Sequence, residues 1–329
     1  MAEPMFIGVD VGGAMPGASG NTRRSRQADH FRLAAEAGVF DFVETHASAG
    51  DDLAPYFDLV DRYALPVRVI DGTWGIGRDE AKAKDVIDAG SRVGGKVLNL
   101  RLCGHRADGA LLSDDEVVAF YLRLCEWGDR VGCVPSLDAC SVSKRDRTRV
   151  TRLGERITNA GAPFRVTLDL SDLPPLSHGA SNDAGATRGD LSPISACSAQ
   201  ASDTPHSDWI AQGWVYHVRT HGLLSRTARK TRAARTAARG IHAPPPVTSQ
   251  VWAVNRAEGW KRELRQLIRL QANELRPWLR QITCAFASAP GQRRDAALDA
   301  LSDNVACARW LRDTWLCQME QRYGSGIHA

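Results

Sequence analysis

The order of apolar and amphipathic segments predicts a (β/α)8 barrel, an α/β fold in which eight parallel strands close into a ring. Short apolar runs of strand length alternate with segments whose apolar residues recur at helical spacing, and this unit repeats about eight times. The length of 329 residues suits one such barrel. A doubly wound open sheet gives the same alternation, but eight strand-like segments in one chain favour the barrel. We therefore expect a single TIM-barrel domain over residues 1–329.

Each predicted strand is a short run that ends where its apolar residues end. The eight runs lie at 5–9, 40–43, 66–70, 97–102, 133–137, 164–168, 214–218 and 282–286. The predicted helices lie at 26–37, 52–63, 79–93, from Ser113 onward, 147–160, 257–275 and 296–322. Ser113 followed by Glu116 forms a capping box, and Gly94-Gly95 provides a stop for the third helix.

Two segments interrupt the alternation and predict long loops after strands 6 and 7. Residues 174–207 are rich in Ser, Ala, Gly and Asp, and residues 219–249 are basic and end in three prolines. Such composition supplies few apolar side chains for a core. We expect both segments to be loop insertions within the one domain.

The formal net charge of +4 is unevenly distributed along the chain. Residues 209–257 contain eight Arg or Lys and no Asp or Glu, whereas the remaining residues carry 34 basic and 38 acidic side chains. A local basic segment argues for a local anion site or a solvated loop, and against a protein that coats nucleic acid. The sequence also argues against nucleic acid as a partner, because no Phe, Trp or Tyr that could stack on bases lies between Tyr216 and Trp252.

The sequence shows no targeting or membrane segment. The first residues lack the basic and apolar regions of a secretory signal, and no run of about 18 apolar residues is present. The eight cysteines form no C-x-x-C pair, which argues against a structural zinc site. These features predict a cytoplasmic protein with no membrane contact.

Polar residues near the ends of the predicted strands are the candidate site residues, because active sites of these barrels lie at the carboxyl ends of the strands. The candidates are Glu44, Asp71, Trp74, His105, Asp138, Asp169, His217, Arg219 and His221. Asp138 and Asp169 follow adjacent strands and could share one divalent cation. The alternative is that each carboxylate caps the helix or turn that follows it. His217 lies within an apolar strand, where a histidine is more often structural than a ligand.

Five stretches in a fixed order along the chain carry a resemblance to a known family. They are GTWGIGRDEA (72–81), HRADGALLSDDEV (105–117), GERITNAGAPFRVTLDLSDL (154–173), WIAQGWVYHV (209–218) and VACARWLRDTW (305–315). In this order they resemble the bacterial sugar phosphate isomerase/epimerase family, whose members are xylose-isomerase-like TIM barrels. The resemblance implies a sugar or sugar phosphate as substrate. It also implies one divalent metal, such as Mn, Mg, Zn or Co, held by Glu, Asp, His and Glu from strands 5 to 8.

The chain departs from that ligand pattern at three of the four positions. Asp169 matches, but Asp138 stands in place of the first Glu, Arg219 in place of the His, and Ala285 in place of the last Glu. A guanidinium does not lose its proton, so Arg219 would place a fixed positive charge where the metal should bind. A salt bridge from Arg219 to Asp169 or Asp138 could replace the metal.

Three functions remain open at this stage. The first is a degenerate family member that has lost its metal chemistry and binds no cofactor. The second is an active isomerase or epimerase that uses Asp138, Asp169 and His217. The third is an anion- or partner-binding protein that acts through the basic segment 219–239. The predicted roles are catalysis for Asp138, His217 and Glu44, metal binding for Asp138 and Asp169, and substrate binding for Trp74, His105, Arg219 and His221. A protein partner or a homodimer is also compatible with the sequence.

Overall fold

A computed structural model describes most of the chain. It covers residues 5–11, 20–47, 53–102, 105–106, 110–139, 147–170, 205–220, 279–285 and 294–323, with 261, 264–265 and 267–269. Within this part, eight parallel strands form a closed barrel in which each strand pairs with its sequence neighbours and β8 pairs with β1. The predicted (β/α)8 barrel is therefore confirmed. No helix in the described ranges is both long and apolar enough to cross a membrane.

The strands are β1 (Phe6–Asp10), β2 (Phe42–His46), β3 (Val67–Trp74), β4 (Val97–Leu102), β5 (Val134–Asp138), β6 (Val166–Asp169), β7 (Val215–Arg219) and β8 (Gln281–Cys284). The helices are α1 (Gly20–Ala37), α2 (Ala54–Tyr63), α3 (Glu80–Arg92), α4 (Asp114–Asp129), α5 (Arg147–Asn159), α6 (Pro205–Ala211) and α7 (Arg294–Tyr323). Further along, the described residues between 261 and 269 are helical, as predicted. The capping box of α4 is present, with the Ser113 side chain accepting from the Glu116 amide and Glu116 accepting from the Ser113 amide.

The predicted ends of several elements were wrong. Strand β2 continues through polar residues to His46, three residues beyond the apolar run that predicted it. Strand β3 continues to Trp74, four residues beyond its predicted run. Their polar side chains belong to the strands because neighbouring strands continue to pair with them. Helix α6 begins at Pro205, inside the range predicted as the loop after strand 6. Arg219 is the last residue of β7, although it was predicted to be the first residue of the loop after strand 7. The rest of both predicted loops lies outside the described residues.

The barrel interior is apolar at its amino end and polar towards its carboxyl end. Phe42, Val69 and Val97 are fully buried and form a cluster against which Phe6 and Tyr216 pack. Gly8 lies against the ring of Phe42, and any Cβ atom at this position would overlap that ring. This apolar cluster closes the amino end of the barrel, so a site for polar ligands within it must open at the carboxyl end.

Two β-bulges change which side chains point into the barrel. Strand β3 contains one more residue than β2 between consecutive paired positions, and the extra residue is Arg68. Strand β7 likewise contains one more residue than β6, and the extra residue is Tyr216. A bulge changes the direction of the side chain at the extra residue. Both bulges lie near the amino end of the barrel.

Candidate functional site

Arg219 lies at the centre of the polar part of the barrel. Its side chain is 1% exposed, and three carboxylates surround its guanidinium. Nη2 lies 3.1 Å from Glu44 and 3.5 Å from Asp10, and Nη1 lies 3.4 Å from Asp71. Burial lowers the pKa of Arg219, but these carboxylates outweigh burial and raise it above its ordinary value. The guanidinium is therefore a permanent cation inside the barrel.

His46 connects two of these carboxylates. Its Nδ1 lies 2.7 Å from Asp71 and its Nε2 lies 3.3 Å from Asp10. Burial lowers the pKa of His46, but the two carboxylates outweigh it and raise the pKa to about 10. Both ring nitrogens therefore carry hydrogen and donate to carboxylates, which leaves His46 without a lone pair for a metal ion.

Arg101 links Asp71 on β3 to Asp138 on β5. Its Nη2 lies 3.2 Å from Asp71 and its Nε donates to Asp138 over 3.1 Å. Asn99 donates to the second oxygen of Asp71 over 2.6 Å. Burial raises the pKa of Asp71, but Arg219, His46 and Arg101 outweigh burial and hold it below its usual range. Asp71 is thus ionised and is the most heavily paired carboxylate of the site.

Beneath these charges, hydroxyl groups surround His217. Its Nε2 lies 2.8 Å from the Thr283 hydroxyl and its Nδ1 lies 3.3 Å from the Thr167 hydroxyl, which in turn lies 2.8 Å from the hydroxyl of Ser136. Burial and then the charge of Arg219 lower the pKa of His217 to about 3. His217 is therefore a neutral imidazole held by hydroxyls. Its Nε2 is also 3.7 Å from Glu44.

Glu44 differs from the other carboxylates of the site. It is fully buried, and neither of its oxygens has a hydrogen-bond partner among the described residues, although Arg219 and His217 are near. Burial raises its pKa and Arg219 lowers it, and the result is a value of about 7. Glu44 can therefore gain or lose a proton near neutral pH.

Other buried polar atoms in the barrel also have unused hydrogen-bonding capacity. In the part of the chain that the structure describes, Nε and Nη1 of Arg219, Oδ1 of Asn99 and both amide atoms of Gln281 have no hydrogen-bond partner. Buried polar groups are normally paired, so such a cluster is unusual. Donors and acceptors with unused hydrogen-bonding capacity are thus both present inside the barrel.

The structure brings together several of the residues that the sequence predicted for the site. Glu44, Asp71, Asp138, His217 and Arg219 lie in one network at the carboxyl end. Asp169 pairs in register with Arg219, and its charge contributes to the raised pKa of that arginine.

The other predicted residues lie elsewhere. Trp74 is fully buried in the hydrophobic core, and alternation along β3 places it on the face opposite Asp71. His105 is exposed, and its backbone forms an isolated bridge to Leu111. His221 lies outside the described residues.

The predicted salt bridge of Arg219 to Asp169 or Asp138 was wrong. The ion pairs of Arg219 run to Asp10, Glu44 and Asp71 on β1, β2 and β3, whereas Asp138 pairs with Arg101. Sequence reasoning missed Asp10 and Arg101 altogether. The alternation in V-L-N-L-R-L places Asn99 and Arg101 on one face of β4, and this signal could have identified Arg101.

The described residues do not fit the four-ligand metal site that the resemblance implies. Of the four positions, Asp138 is engaged by Arg101, Arg219 brings a positive charge next to Asp169, and Ala285 has no donor atom. Among the residues that the structure describes, no group of three or more His, Cys, Asp and Glu side chains could hold a metal ion. This conclusion rests on the donor set, in which a guanidinium occupies a ligand position.

Comparison with known proteins supports the fold. No protein-family model matches the sequence, and neither does any curated protein. A xylose isomerase domain protein from Planctomyces limnophilus is similar in structure, with a TM-score of 0.55 at 13% identity over 95% of this chain and 99% of that one. A putative sugar phosphate isomerase/epimerase from Anabaena variabilis ATCC 29413 has a TM-score of 0.54 at 9% identity over 95% of this chain and 100% of that one. The IOLI protein with a bound zinc atom has a TM-score of 0.50 at 11% identity, over 96% of this chain and 99% of that one. The chain therefore has the fold of the xylose isomerase-like TIM barrels, as the five ordered stretches of its sequence predict.

Proposed function

We propose that this chain binds a sugar or sugar phosphate at the carboxyl end of the barrel, in a site whose central cation is Arg219 and not a divalent metal. The observation that carries the proposal is the burial of Arg219 among Asp10, Glu44 and Asp71. A buried cation with three carboxylates resembles the charge arrangement of a metal centre, with the cation supplied by the chain. The names of the similar structures, a xylose isomerase domain protein and a sugar phosphate isomerase/epimerase, support a ligand of this class.

The arrangement of polar groups suits a compound with several hydroxyl groups. Carboxylates accept hydrogen bonds from hydroxyls, and guanidinium groups donate to carbonyl or hydroxyl oxygens. The side chains of His46 and Arg101, 21% and 36% exposed, are the accessible members of the network, and both are donors. An entering ligand would meet these donors first and the buried carboxylates next. A phosphate group would favour the outer, cationic layer.

Within this function, proton transfer falls to Glu44. Its pKa of about 7 lets it act as a base or an acid at neutral pH, whereas His217 is held neutral by burial and by the charge of Arg219, and Asp138 is paired with Arg101. Glu44 would accept the proton from the carbon next to a carbonyl group. The C–H electron pair would then form the double bond of an enediolate, whose oxygen takes its negative charge beside Arg219. Return of that proton to the former carbonyl carbon, as the hydroxyl proton moves between the two enediolate oxygens, gives the isomer. Formation of an epimer would require a second proton donor on the opposite face.

The experiment measures ligand binding and metal dependence on the same sample. We expect the purified chain to contain no stoichiometric metal by elemental analysis, and to bind a member of a sugar and sugar phosphate panel by calorimetry with EDTA present. Arg219→Lys should weaken that binding at least 10-fold, because lysine keeps the charge but not the planar donors. Binding that requires Mn²⁺, or that Arg219→Lys leaves unchanged, contradicts the proposal.

Two further measurements separate binding from catalysis. In D2O, the wild type should exchange the carbon-bound hydrogen of its ligand, and Glu44→Gln should bind the ligand without exchange. Binding without exchange in the wild type would leave the binding function standing and remove the role of Glu44. Arg219→Ala should gain affinity for Mn²⁺, seen as a rise in melting temperature with the metal, because three carboxylates then lack their cation.

A further inference from the structure

The amino end of the barrel contains a second group of polar residues, remote from the site described above. Arg68 and Tyr216 are the extra residues of the two β-bulges, and Arg165 precedes β6 at the same end. Bulges at the rims of barrels often direct a side chain towards a functional position. Two of them act here at one end of one barrel, in strands β3 and β7. We call Arg68, Arg165 and Tyr216 the amino-end cluster.

The two arginines of the amino-end cluster are held against aromatic rings. The guanidinium of Arg68 lies over the ring of Phe6 at 3.8 Å from its centre, and that of Arg165 lies over the ring of Tyr216 at 5.6 Å. Both rings pack against the same apolar cluster inside the barrel. Stacking fixes the plane of a guanidinium and leaves the N–H donors at its edge available.

The charges at this end are not balanced by the carboxylate beside them. Asp41 acts on Arg68, but it also accepts from the Ile7 amide at 2.8 Å and from Arg312 at 3.1 Å. The Nε of Arg68 is buried and has no hydrogen-bond partner among the described residues. Burial lowers the pKa of Arg68, and it lowers the pKa of Arg280, whose backbone bonds to both Phe6 and Tyr216. Partly buried cations of this kind are stabilised by an anion.

The phenol of Tyr216 lies within electrostatic range of both arginines. Burial raises its pKa, and the charges of Arg165 and then Arg68 oppose that rise. Because Arg68 lies over Phe6, Arg165 lies over Tyr216, and both rings pack against one apolar cluster, the two guanidinium groups and the phenol lie at the same end of the barrel. Nη1 of Arg165 donates to the Phe164 carbonyl over 3.0 Å. Two planar cations with a hydroxyl donor suit a doubly charged tetrahedral oxyanion better than they suit a neutral ligand.

We propose that the amino-end cluster is a binding site for a phosphate-class anion, such as inorganic phosphate, pyrophosphate or the phosphate group of a small metabolite. The site is separate from the sugar site, because the apolar cluster of Phe42, Val69 and Val97 fills the barrel between them. It uses the face of the barrel that ordinarily contributes only to stability. The proposal is therefore independent of the function proposed for the carboxyl end.

The test is calorimetric titration of the full chain with pyrophosphate at low salt. We expect saturable binding that weakens at least 10-fold in Arg68→Gln and several-fold in Tyr216→Phe, which removes a single hydroxyl. Arg92→Gln is the matched control, because Arg92 also stacks on a phenylalanine, Phe57 at 4.0 Å, but on the outer helices. This control should bind pyrophosphate as the wild type does. Thermal unfolding of each variant identifies any that fail to fold, in which case Tyr216→Phe decides the result.

Four outcomes would overturn the proposal. The first is no binding to the wild type at millimolar pyrophosphate. The second is equal affinity in Arg68→Gln, Tyr216→Phe and Arg92→Gln, which would assign the anion to other basic residues, such as those of segment 219–239. The third is equal affinity for malonate, which would show a general carboxylate site. The fourth is loss of pyrophosphate binding in Arg219→Lys with binding retained in Arg68→Gln, which would place the anion at the carboxyl end instead.

Discussion

The two halves of the barrel contribute different chemistry to its interior. Strands β1 to β3 supply the carboxylates that surround the buried cation, whereas β5, β6 and β8 supply the hydroxyls that surround His217. The cation itself extends from β7 across to the carboxylates of the opposite half. Resemblance to sugar phosphate isomerases would place the anionic ligands of a cation on strands 5 to 8. In this chain a guanidinium places the positive charge inside the barrel, and its ion pairs run to carboxylates on β1 to β3.

This difference shows how a cation supplied by the chain itself can be accommodated inside the barrel. A guanidinium on β7 requires anionic partners within its reach, and the carboxylates of β1 to β3 provide them. The hydroxyl groups around His217 can then remain neutral, because hydroxyls and a neutral imidazole satisfy one another without charge. The charged half should therefore respond strongly to removal of one charge, and the hydroxyl half weakly to removal of one hydroxyl.

The largest effect is expected for Arg219→Met, which removes the charge while keeping much of the side-chain volume. The three carboxylates would lose their buried counter-ion, and breaking a buried ion pair in this way costs about 3–5 kcal/mol in the free energy of unfolding. Urea unfolding with EDTA present measures the change.

Arg101→Met is the matched control for this substitution. Arg101 also contacts two carboxylates of the network, but its side chain is 36% exposed, so water can replace its contacts. We expect a loss of about 1 kcal/mol or less. Equal losses for the two variants would show that Arg219 is not the principal cation of the site.

The sequence predicted the architecture well because it depends on a repeated pattern. Eight apolar runs and intervening amphipathic segments suffice to indicate a closed barrel, and the capping box at Ser113 locates the start of α4. The ends of β2 and β3 could not be found in this way, because polar residues such as Glu44 and Asp71 are unfavourable in strands on average. They are tolerated here because each faces a charge of opposite sign inside the barrel.

The partners of the site residues were harder to predict than the residues themselves. Arg219 was identified from a resemblance at one position, but its contacts to Asp10 and Asp71 depend on strands more than a hundred residues away in sequence. Only closure of the barrel brings β7 close to β1 and β3. The directions of Arg68 and Tyr216 depend on bulges, for which the sequence offers no signal that we recognise.

The second largest effect concerns pH, because the two halves contain histidines with opposite shifts. His46 has a pKa of about 10, so between pH 6.5 and 10 the native state holds a proton that the unfolded state has lost. Stability from His46 is present below pH 6.5 and falls as the pH rises to 10, by at most about 1.4 kcal/mol per pH unit. His217 has a pKa of about 3, so its contribution is present above pH 6.5 and falls as the pH decreases to 3.

Two glutamine variants separate these contributions. His46→Gln should flatten the loss of stability above pH 6.5 relative to the wild type, and His217→Gln should flatten the loss below pH 6.5. Chemical unfolding between pH 4 and pH 9 measures both slopes. If His46→Gln left the alkaline slope unchanged, the imidazole would not be charged between Asp10 and Asp71. If His217→Gln left the acid slope unchanged, the imidazole would not be held neutral by burial and the charge of Arg219.

A smaller effect than that of Arg219→Met is expected for Thr283→Val, which removes one hydroxyl from the group around His217 with little change in shape. His217 Nε2 loses its 2.8 Å partner, and the cost of a lost buried hydrogen bond is about 1–2 kcal/mol. Thr45→Val is the matched control, because the Thr45 hydroxyl is also buried and bonds to Tyr56, on the charged half but outside the histidine network. Both variants should lose similar stability near pH 7, but only Thr283→Val should change the pH dependence below pH 6.5, since only Thr283 contacts the histidine that titrates there. An unchanged acid slope in Thr283→Val would mean that burial and the charge of Arg219 alone hold His217 neutral, and that the hydroxyl half contributes packing but no control of protonation.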